Sequence, residues 1–129
     1  MNAPPSPDQN HLLAALSGDV RDRLFPHLRL VELPLGRVMY ESGDKVDQVF
    51  FPTDAIVSLL YVMESGASAE ISVVGNEGLI GIALFMGGQS TSSRCIVQSA
   101  GSAFRLPGVR LMEEFIRSRP ELWGEDIGE

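Results

Sequence analysis

The spacing of apolar residues predicts two short helices at the start of the chain. Asn10 is the natural N-cap of the first helix, and Ser17-Gly18 ends it. The second helix begins at Asp19 and ends at Pro26, because proline cannot continue a helical hydrogen-bond ladder. The inward-facing apolar residues are Leu12, Leu13 and Leu16 in the first helix and Val20, Leu24 and Phe25 in the second.

From Leu28 onward, turn signals recur about every ten residues and divide the chain into short segments. These signals are Pro34–Gly36, Ser42–Asp44, Pro52–Asp54, Ser65-Gly66, Gly75-Asn76, Gly87-Gly88 and Ala100-Gly101. We count about eight strands between Leu28 and Leu106. Short strands at this spacing are typical of an all-β sandwich or barrel.

Two of these segments distribute their apolar residues differently. Between Ala67 and Val73, apolar and polar residues alternate, which predicts a strand with one buried and one solvated face. Residues 55–63 are apolar on both faces, which predicts a strand that is covered on both sides.

The last part of the chain returns to a helical pattern. Pro107 stands where a helix can begin, Pro120 interrupts that helix, and Glu113-Glu114 are assigned to its solvated face. Four apolar residues recur at helical spacing, namely Val109, Met112, Phe115 and Ile116. They either cover the strands or pair between two chains.

Length and composition indicate one acidic domain. The chain has 129 residues; we assign the domain to residues 10–129, and the prolines of residues 1–9 predict a disordered lead-in. The formal charge of −7 makes the chain a poor candidate for gripping a nucleic-acid backbone. We find no secretory signal and no apolar stretch long enough to cross a membrane, which indicates a cytoplasmic protein.

The residue types argue against an enzyme. A metal site built on strands needs converging histidines, yet His11 and His27 both lie in the helical beginning. The single cysteine, Cys95, excludes an internal disulfide and a multi-cysteine metal site. The chain has no Gly-x-Ser-x-Gly motif for a serine nucleophile. We therefore expect neither catalysis nor a bound metal.

A glycine-rich segment followed by an arginine is the best candidate for binding chemistry. Residues 75–89 are rich in glycine, which lets backbone N–H groups approach a ligand, and Arg94 opens the next strand. N–H donors together with a guanidinium group can hold a phosphate. The alternative is that the glycines only shape turns and that Arg94 points to solvent.

Cys95, the residue after Arg94, also has two interpretations. As a redox sensor it needs exposure and a lowered thiol pKa, which a neighbouring arginine favours. As part of an apolar strand it is a small buried hydrophobic residue. The surrounding pattern favours burial.

Several segments together resemble the sensor domain of Crp/Fnr-type transcription regulators. They are NHLLAAL at residues 10–16, YESGD at 40–44, VFFPTD at 49–54, and the glycine-rich run with Arg94. The resemblance extends from about His11 to Trp123, in the family's order. It implies a mainly β fold, an eight-stranded antiparallel jelly roll with short flanking helices at both ends.

The resemblance also implies roles for five residues. Arg94 pairs with a cyclic phosphate, and Cys95 stands where binders of cyclic AMP have serine or threonine. The backbone N–H donors come from Gly81, Ile82 and Ala83. The implied ligand is a cyclic nucleotide or another anionic small molecule, and no cofactor is certain.

One departure from the family pattern changes the expected ligand chemistry. Cyclic-nucleotide binders of this family have a glutamate directly after a glycine of the glycine-rich segment, and this glutamate accepts a hydrogen bond from the ribose. In this chain the corresponding glycine, Gly81, is followed by Ile82. A charged hydrogen bond of this kind contributes about 1.5–3 kcal/mol. We therefore expect a degenerate nucleotide pocket.

The predicted function is a ligand-sensing regulatory domain of a Crp/Fnr-type regulator that forms a homodimer. DNA contact is expected only through a helix-turn-helix domain, which these 129 residues do not include. The alternative is a free-standing interaction or dimerisation module that binds no nucleotide.

Overall fold

The computed structural model of the chain describes residues 4–41, 43, 45–81 and 93–117. Its elements follow the predicted order of helices, strands and a final helix. The helices are α1 (His11–Ala14), α2 (Gly18–Leu24) and α3 (Gly108–Arg117). The strands are β1 (Arg29–Leu33), β2 (Val38–Tyr40), β3 (Gln48–Pro52), β4 (Ile56–Val62), β5 (Ser68–Val74), β6 (Ser93–Ser99) and β7 (Gly101–Pro107).

The strands form two antiparallel sheets. The first sheet has the order β1-β7-β3, and the second has the order β2-β6-β4-β5. The mainly β jelly-roll class is therefore confirmed, although the described residues contain seven strands rather than about eight. After β5, residues 75–81 form a turn and a single bridge between Ile80 and Phe50, and residues 82–92 lie outside the described residues.

The first sheet is covered on both faces, and this arrangement creates two cores. One face packs against the N-terminal helices, and the other faces the second sheet. The helix-side core contains Leu13, Val20, Leu24, Val49, Phe51, Phe104 and Leu106. The core between the sheets contains Leu33, Ala55, Val57, Ile80, Cys95, Val97 and Ala103. The inward positions predicted at Leu13, Val20 and Leu24 are confirmed, whereas the prediction for Leu12 is wrong because its side chain is exposed.

The prediction of a half-buried strand at residues 67–73 is wrong. Every residue of β5 except Val74 is exposed, and the Ile71 side chain is among them. The reason is position, because β5 is the edge strand of the second sheet and pairs with β4 alone in the described residues. β4 itself is buried at Val57 and Ser58 but exposed at Ile56, so the predicted covering of both its faces holds only in part.

Helix α3 begins directly after Pro107, as predicted, but its faces differ from the prediction. Val109 and Ile116 are 61% and 69% exposed, whereas Glu114, assigned to the solvated face, is only 6% exposed. The carboxylate is buried because Nε of Arg23, on α2, donates to its Oε2 at 2.6 Å. This bond lowers the pKa of Glu114 although burial opposes the shift. The predicted interruption at Pro120 lies outside the described residues.

The N-terminal segment shows two further differences. Pro7–Gln9 form one turn of 3-10 helix within residues 1–9, for which disorder was predicted. Ser17 does not end α1, which stops at Ala14, but caps α2 by accepting from the Val20 N–H group. Short polar side chains at such boundaries favour the start of a helix as much as the end of a preceding one.

Asn10 connects three parts of the fold through one fully buried side chain. Its Oδ1 caps α1 by accepting from the N–H groups of Leu12 and Leu13 at 3.0 and 3.2 Å. Its Nδ2 donates to the carbonyls of Pro52 and Gly78, both at 2.9 Å. The amide therefore holds α1 against the end of β3 and against the turn that leads to Gly81.

The Asn10→Ala variant is expected to lose about 3 kcal/mol of unfolding free energy. Losing a cap costs about 1 kcal/mol, and leaving buried acceptors without donors adds about 1–3 kcal/mol. Urea denaturation followed by far-UV circular dichroism measures the loss. Ser17→Ala is the matched control because it removes a cap alone, and its loss is expected to stay near 1 kcal/mol or below. Equal losses in the two variants would contradict the connecting role of Asn10.

Candidate functional site

The described part of the site predicted from the sequence is divided between β6 and the end of the turn that follows β5. β6 supplies Arg94 and Cys95, and the bridge that pairs Ile80 with Phe50 leads to Gly81. Ile82 and Ala83, the other two predicted positions, lie outside the described residues. The geometry of the site is therefore given by Gly81, Arg94, Cys95 and their neighbours.

Gly81 occupies a backbone position that requires glycine. Its φ angle is +109°, which other residues rarely adopt. A Cβ atom added there would lie 2.7 Å from the Gln48 carbonyl oxygen, a backbone atom that cannot move aside cheaply. The N–H and C=O groups of Ile80 meanwhile exchange hydrogen bonds with Phe50 at 2.8 and 3.0 Å. The glycine-rich segment is thus fixed on β3 at Ile80.

Arg94 and Cys95 point to opposite faces of the second sheet, because successive residues of a strand alternate. Cys95 faces the core between the sheets and is fully buried. Arg94 lies on the outer face, where its Nε donates to Oε1 of Glu41 at 2.7 Å. The described structure therefore does not bring these two predicted site residues together.

Cys95 has a neutral, protected thiol. Burial raises its pKa to about 12, and the hydroxyl of Tyr40, opposite it on β2, is its hydrogen-bond partner. The pKa of Tyr40 is likewise raised to about 12, chiefly by burial and next by the nearby Cys95. A redox sensor needs an exposed thiol with a lowered pKa. The structure thus favours the interpretation of Cys95 as a buried hydrophobic residue.

Two residues that the sequence analysis did not single out belong to this region. Tyr40 and Ser93 share the inner face of the second sheet with Cys95, and the hydroxyl groups of Tyr40 and Ser93 are hydrogen-bonded. The alternation of β6 places Ser93 and Cys95, two residues apart, on one face. This alternation was the sequence signal that could have identified Ser93, since it places Ser93 and Cys95 on one face of β6 and Arg94 on the other.

Glu77 lies in the turn before Gly81. Its Oε2 accepts from the Gly75 N–H group at 3.2 Å, and this bond is the main reason that its pKa is lowered. The carboxylate thus stabilises its own turn. It is committed to a structural contact at the base of the glycine-rich segment.

The segment VFFPTD, which contributes to the family resemblance, also has a structural role. Asp54 Oδ1 accepts from the Ser102 N–H group at 2.6 Å, and Thr53 Oγ1 donates to the Ser102 carbonyl at 3.0 Å. These bonds join the end of β3 to the beginning of β7. The segment therefore closes one end of the first sheet.

The described residues place no three His, Cys, Asp or Glu side chains where they could hold a metal ion. His11 is the first residue of α1, and His27 lies in the 3-10 turn Phe25–His27. Among those same residues, no helix has the length and apolar character needed to cross a membrane.

Comparison with known proteins gives the family of this fold. The family model for the cyclic nucleotide-binding domain matches residues 30–118, which is most of the chain. The chain therefore belongs to the cyclic nucleotide-binding domain family. No curated protein sequence matches it.

Solved structures of regulators share the architecture. The sensor domain of the transcriptional regulator DNR from Pseudomonas aeruginosa is 16% identical, with a TM-score of 0.74 over 88% of this chain and 76% of that one. The N-terminal domain of a transcriptional regulator from Streptomyces coelicolor A3(2) is 25% identical, with a TM-score of 0.68 over 91% and 84%. The cAMP-bound regulatory domain of Toxoplasma gondii PKA is 10% identical, with a TM-score of 0.72 over 83% and 43%. The resemblance to Crp/Fnr-type regulators is confirmed.

Gly81→Ala is expected to cost about 3 kcal/mol of unfolding free energy. A side chain in the left-handed region costs about 1–2 kcal/mol, and the clash with the Gln48 carbonyl adds an overpacking cost of about 1–3 kcal/mol. Gly36→Ala is the matched control, since Gly36 has a φ of +84° but open space around it. Urea denaturation of both variants separates the two costs, and equal losses would show that the close approach to Gln48 is unimportant.

The stability of the domain is expected to fall as the pH rises above about 8.5, the unfolded pKa of cysteine. Below that pH, both folded and unfolded thiols are protonated and Cys95 contributes no pH dependence. Above it, the unfolded thiol ionises while the folded one keeps its proton up to about pH 12. Each pH unit in this window therefore costs about 1.4 kcal/mol.

Urea titrations between about pH 8 and 10 measure this slope. In Cys95→Ala the fall is expected to begin near pH 10, where the unfolded tyrosine starts to ionise while Tyr40 stays protonated. The comparison uses the slope rather than the absolute stability, because the smaller side chain leaves a cavity. A wild-type stability that is constant from pH 8 to 10 would contradict the burial of the thiol.

Proposed function

We propose that this chain is the ligand-sensing domain of a Crp/Fnr-type transcription regulator. In this proposal Arg94, which follows the glycine-rich segment, does not bind the phosphate of a cyclic nucleotide. The observation that supports the proposal is the ion pair between Arg94 and Glu41 on the outer face of the second sheet. In the described structure the Glu41 carboxylate already supplies Arg94 with the negative charge that a phosphate would otherwise provide.

The chemistry of the inner face supports the same proposal. Tyr40 and Cys95 keep their protons at neutral pH because both pKa values are raised to about 12. The described inner face of β6 and β2 is therefore neutral at Tyr40 and Cys95, and these two groups supply no positive charge for a phosphate. Ile82, in the position where the family pattern has a glutamate, removes the usual acceptor for a ribose hydroxyl. A ligand would have to be recognised by other groups than the usual arginine and glutamate.

In this proposal the domain acts in the cytoplasm as part of a homodimer. Helix α3 supports self-association, since Val109 and Ile116 are exposed on its surface. DNA recognition belongs to a helix-turn-helix domain outside these residues. The domain itself performs no catalysis and transmits the state of its interior through α3, which is joined to α2 by the Arg23–Glu114 bond.

Isothermal titration with cyclic AMP and cyclic GMP tests the proposal. We expect no saturable binding up to about 1 mM nucleotide. A dissociation constant of about 1 mM corresponds to a binding free energy of only about −4 kcal/mol. Arg94→Gln is expected to behave like the wild type, and circular dichroism verifies that both are folded. Saturable binding by the wild type that is lost in Arg94→Gln would overturn the proposal and assign Arg94 to the phosphate.

A further inference from the structure

Two surface grooves meet at His27 and carry much of the positive charge of this acidic chain. The larger, of ≈ 450 Å³, is lined by Pro26, His27, Arg29, Gln48, Arg105 and Pro107. The smaller, of ≈ 210 Å³, continues from His27 between α2 and α3. Five of the ten basic residues line the two, namely Arg23, Arg29, Arg105, Arg110 and Arg117. We call the larger one the basic groove.

The centre of the basic groove is a pair of arginines held side by side by the sheet. Arg29 on β1 and Arg105 on β7 are direct partners in the antiparallel register, and both are exposed. Like charges directly opposite each other destabilise a sheet. Leu33 and Ala103 lie on the same face of the first sheet and are buried. The face is therefore covered at one end of the two strands and exposed to solvent at the other, where Arg29 and Arg105 lie.

No ion pair within the described residues neutralises Arg29 or Arg105. The chain has seventeen acidic residues, so this lack of a counter-charge does not follow from composition. In the smaller groove, by contrast, Glu114 pairs with Arg23 at 2.6 Å and Glu113 lies 3.6 Å from Arg110. Between the two grooves, it is therefore the larger one whose arginines, Arg29 and Arg105, have no ion pair within the described residues.

The shape and chemistry of the basic groove point to one kind of partner. An open groove with exposed guanidinium groups suits an extended chain that lies across it, whereas a small ligand is usually enclosed. Guanidinium groups bind carboxylates in a bidentate geometry, and Pro26 and Pro107 provide apolar walls beside them. A nucleic-acid backbone that extended beyond the basic groove would be repelled by Glu113 in the smaller groove and by the net charge of −7 of the chain.

We infer that the basic groove binds an acidic segment of a protein partner, with Arg29 and Arg105 each receiving a carboxylate. Among the described residues no acid pairs with either arginine, and in this inference the partner supplies the counter-charge. The site lies on the first sheet and adjoins the glycine-rich segment at Gln48, but Arg29 and Arg105 are not among the residues assigned to nucleotide binding.

A fluorescein-labelled hexaglutamate peptide tests the inference by fluorescence anisotropy at low salt. We expect saturable binding to the wild type and a loss of about tenfold in affinity in the double variant Arg29→Gln/Arg105→Gln, as removal of two exposed charge pairs predicts. The matched control is Arg37→Gln/Lys45→Gln, which removes the same charge from exposed positions outside the groove. Its affinity is expected to change less than twofold, and hexaglutamine should not bind.

Three results would overturn the inference. The first is no saturable binding of hexaglutamate to the wild type, and the second is an equal loss in the two double variants, which would indicate general electrostatic attraction. The third is tighter binding of a single-stranded hexanucleotide that depends on Arg29 and Arg105, which would assign the groove to nucleic acid. Thermal melts keep the comparison valid, because removing two opposed like charges should leave the melting temperature equal to or above that of the wild type.

Discussion

The architecture depends on the buried amide of Asn10 more than on any other single polar group. A fully buried side chain with four hydrogen bonds is costly to leave unsatisfied, so the groups that it binds are held in one arrangement. The amide fixes α1 on the first sheet, and it also fixes the turn that sends the chain from β5 toward Gly81. The helical beginning and the glycine-rich segment are therefore positioned by the same residue.

Much of the fold could be predicted from the sequence because local signals sufficed. The cap at Asn10, the stop at Pro26 and the turns between strands are short-range features, and their predicted positions agree with the structure within a few residues. The solvent exposure of the β5 residues could not be predicted from local signals. Its alternating pattern is that of a half-buried strand, and only the fold shows that it is an edge strand whose two faces are both exposed among the described residues.

The candidate site is less accessible to local sequence patterns, and Arg94 and Glu114 show why. The family resemblance implies that Arg94 and Cys95 act together, but it does not contain the relation that the alternation of β6 gives them, which places their side chains on opposite faces. Glu114 seemed solvated because charged residues on helices usually are, yet Arg23, ninety-one residues earlier in the chain, provides a partner that sequence proximity cannot reveal. Pairings across such distances are set by the fold, so local patterns do not contain them.

The double covering of the first sheet also has a consequence for local motion. β7 is central in that sheet, with partners on both edges and a core on each side, so its amides can exchange only when most of the domain opens. β2, by contrast, has three residues, an irregular register and one neighbour in its sheet. The domain thus combines a rigid layer, on which Arg105 stands, with a layer whose margin near Tyr40 can open at a small fraction of the unfolding free energy.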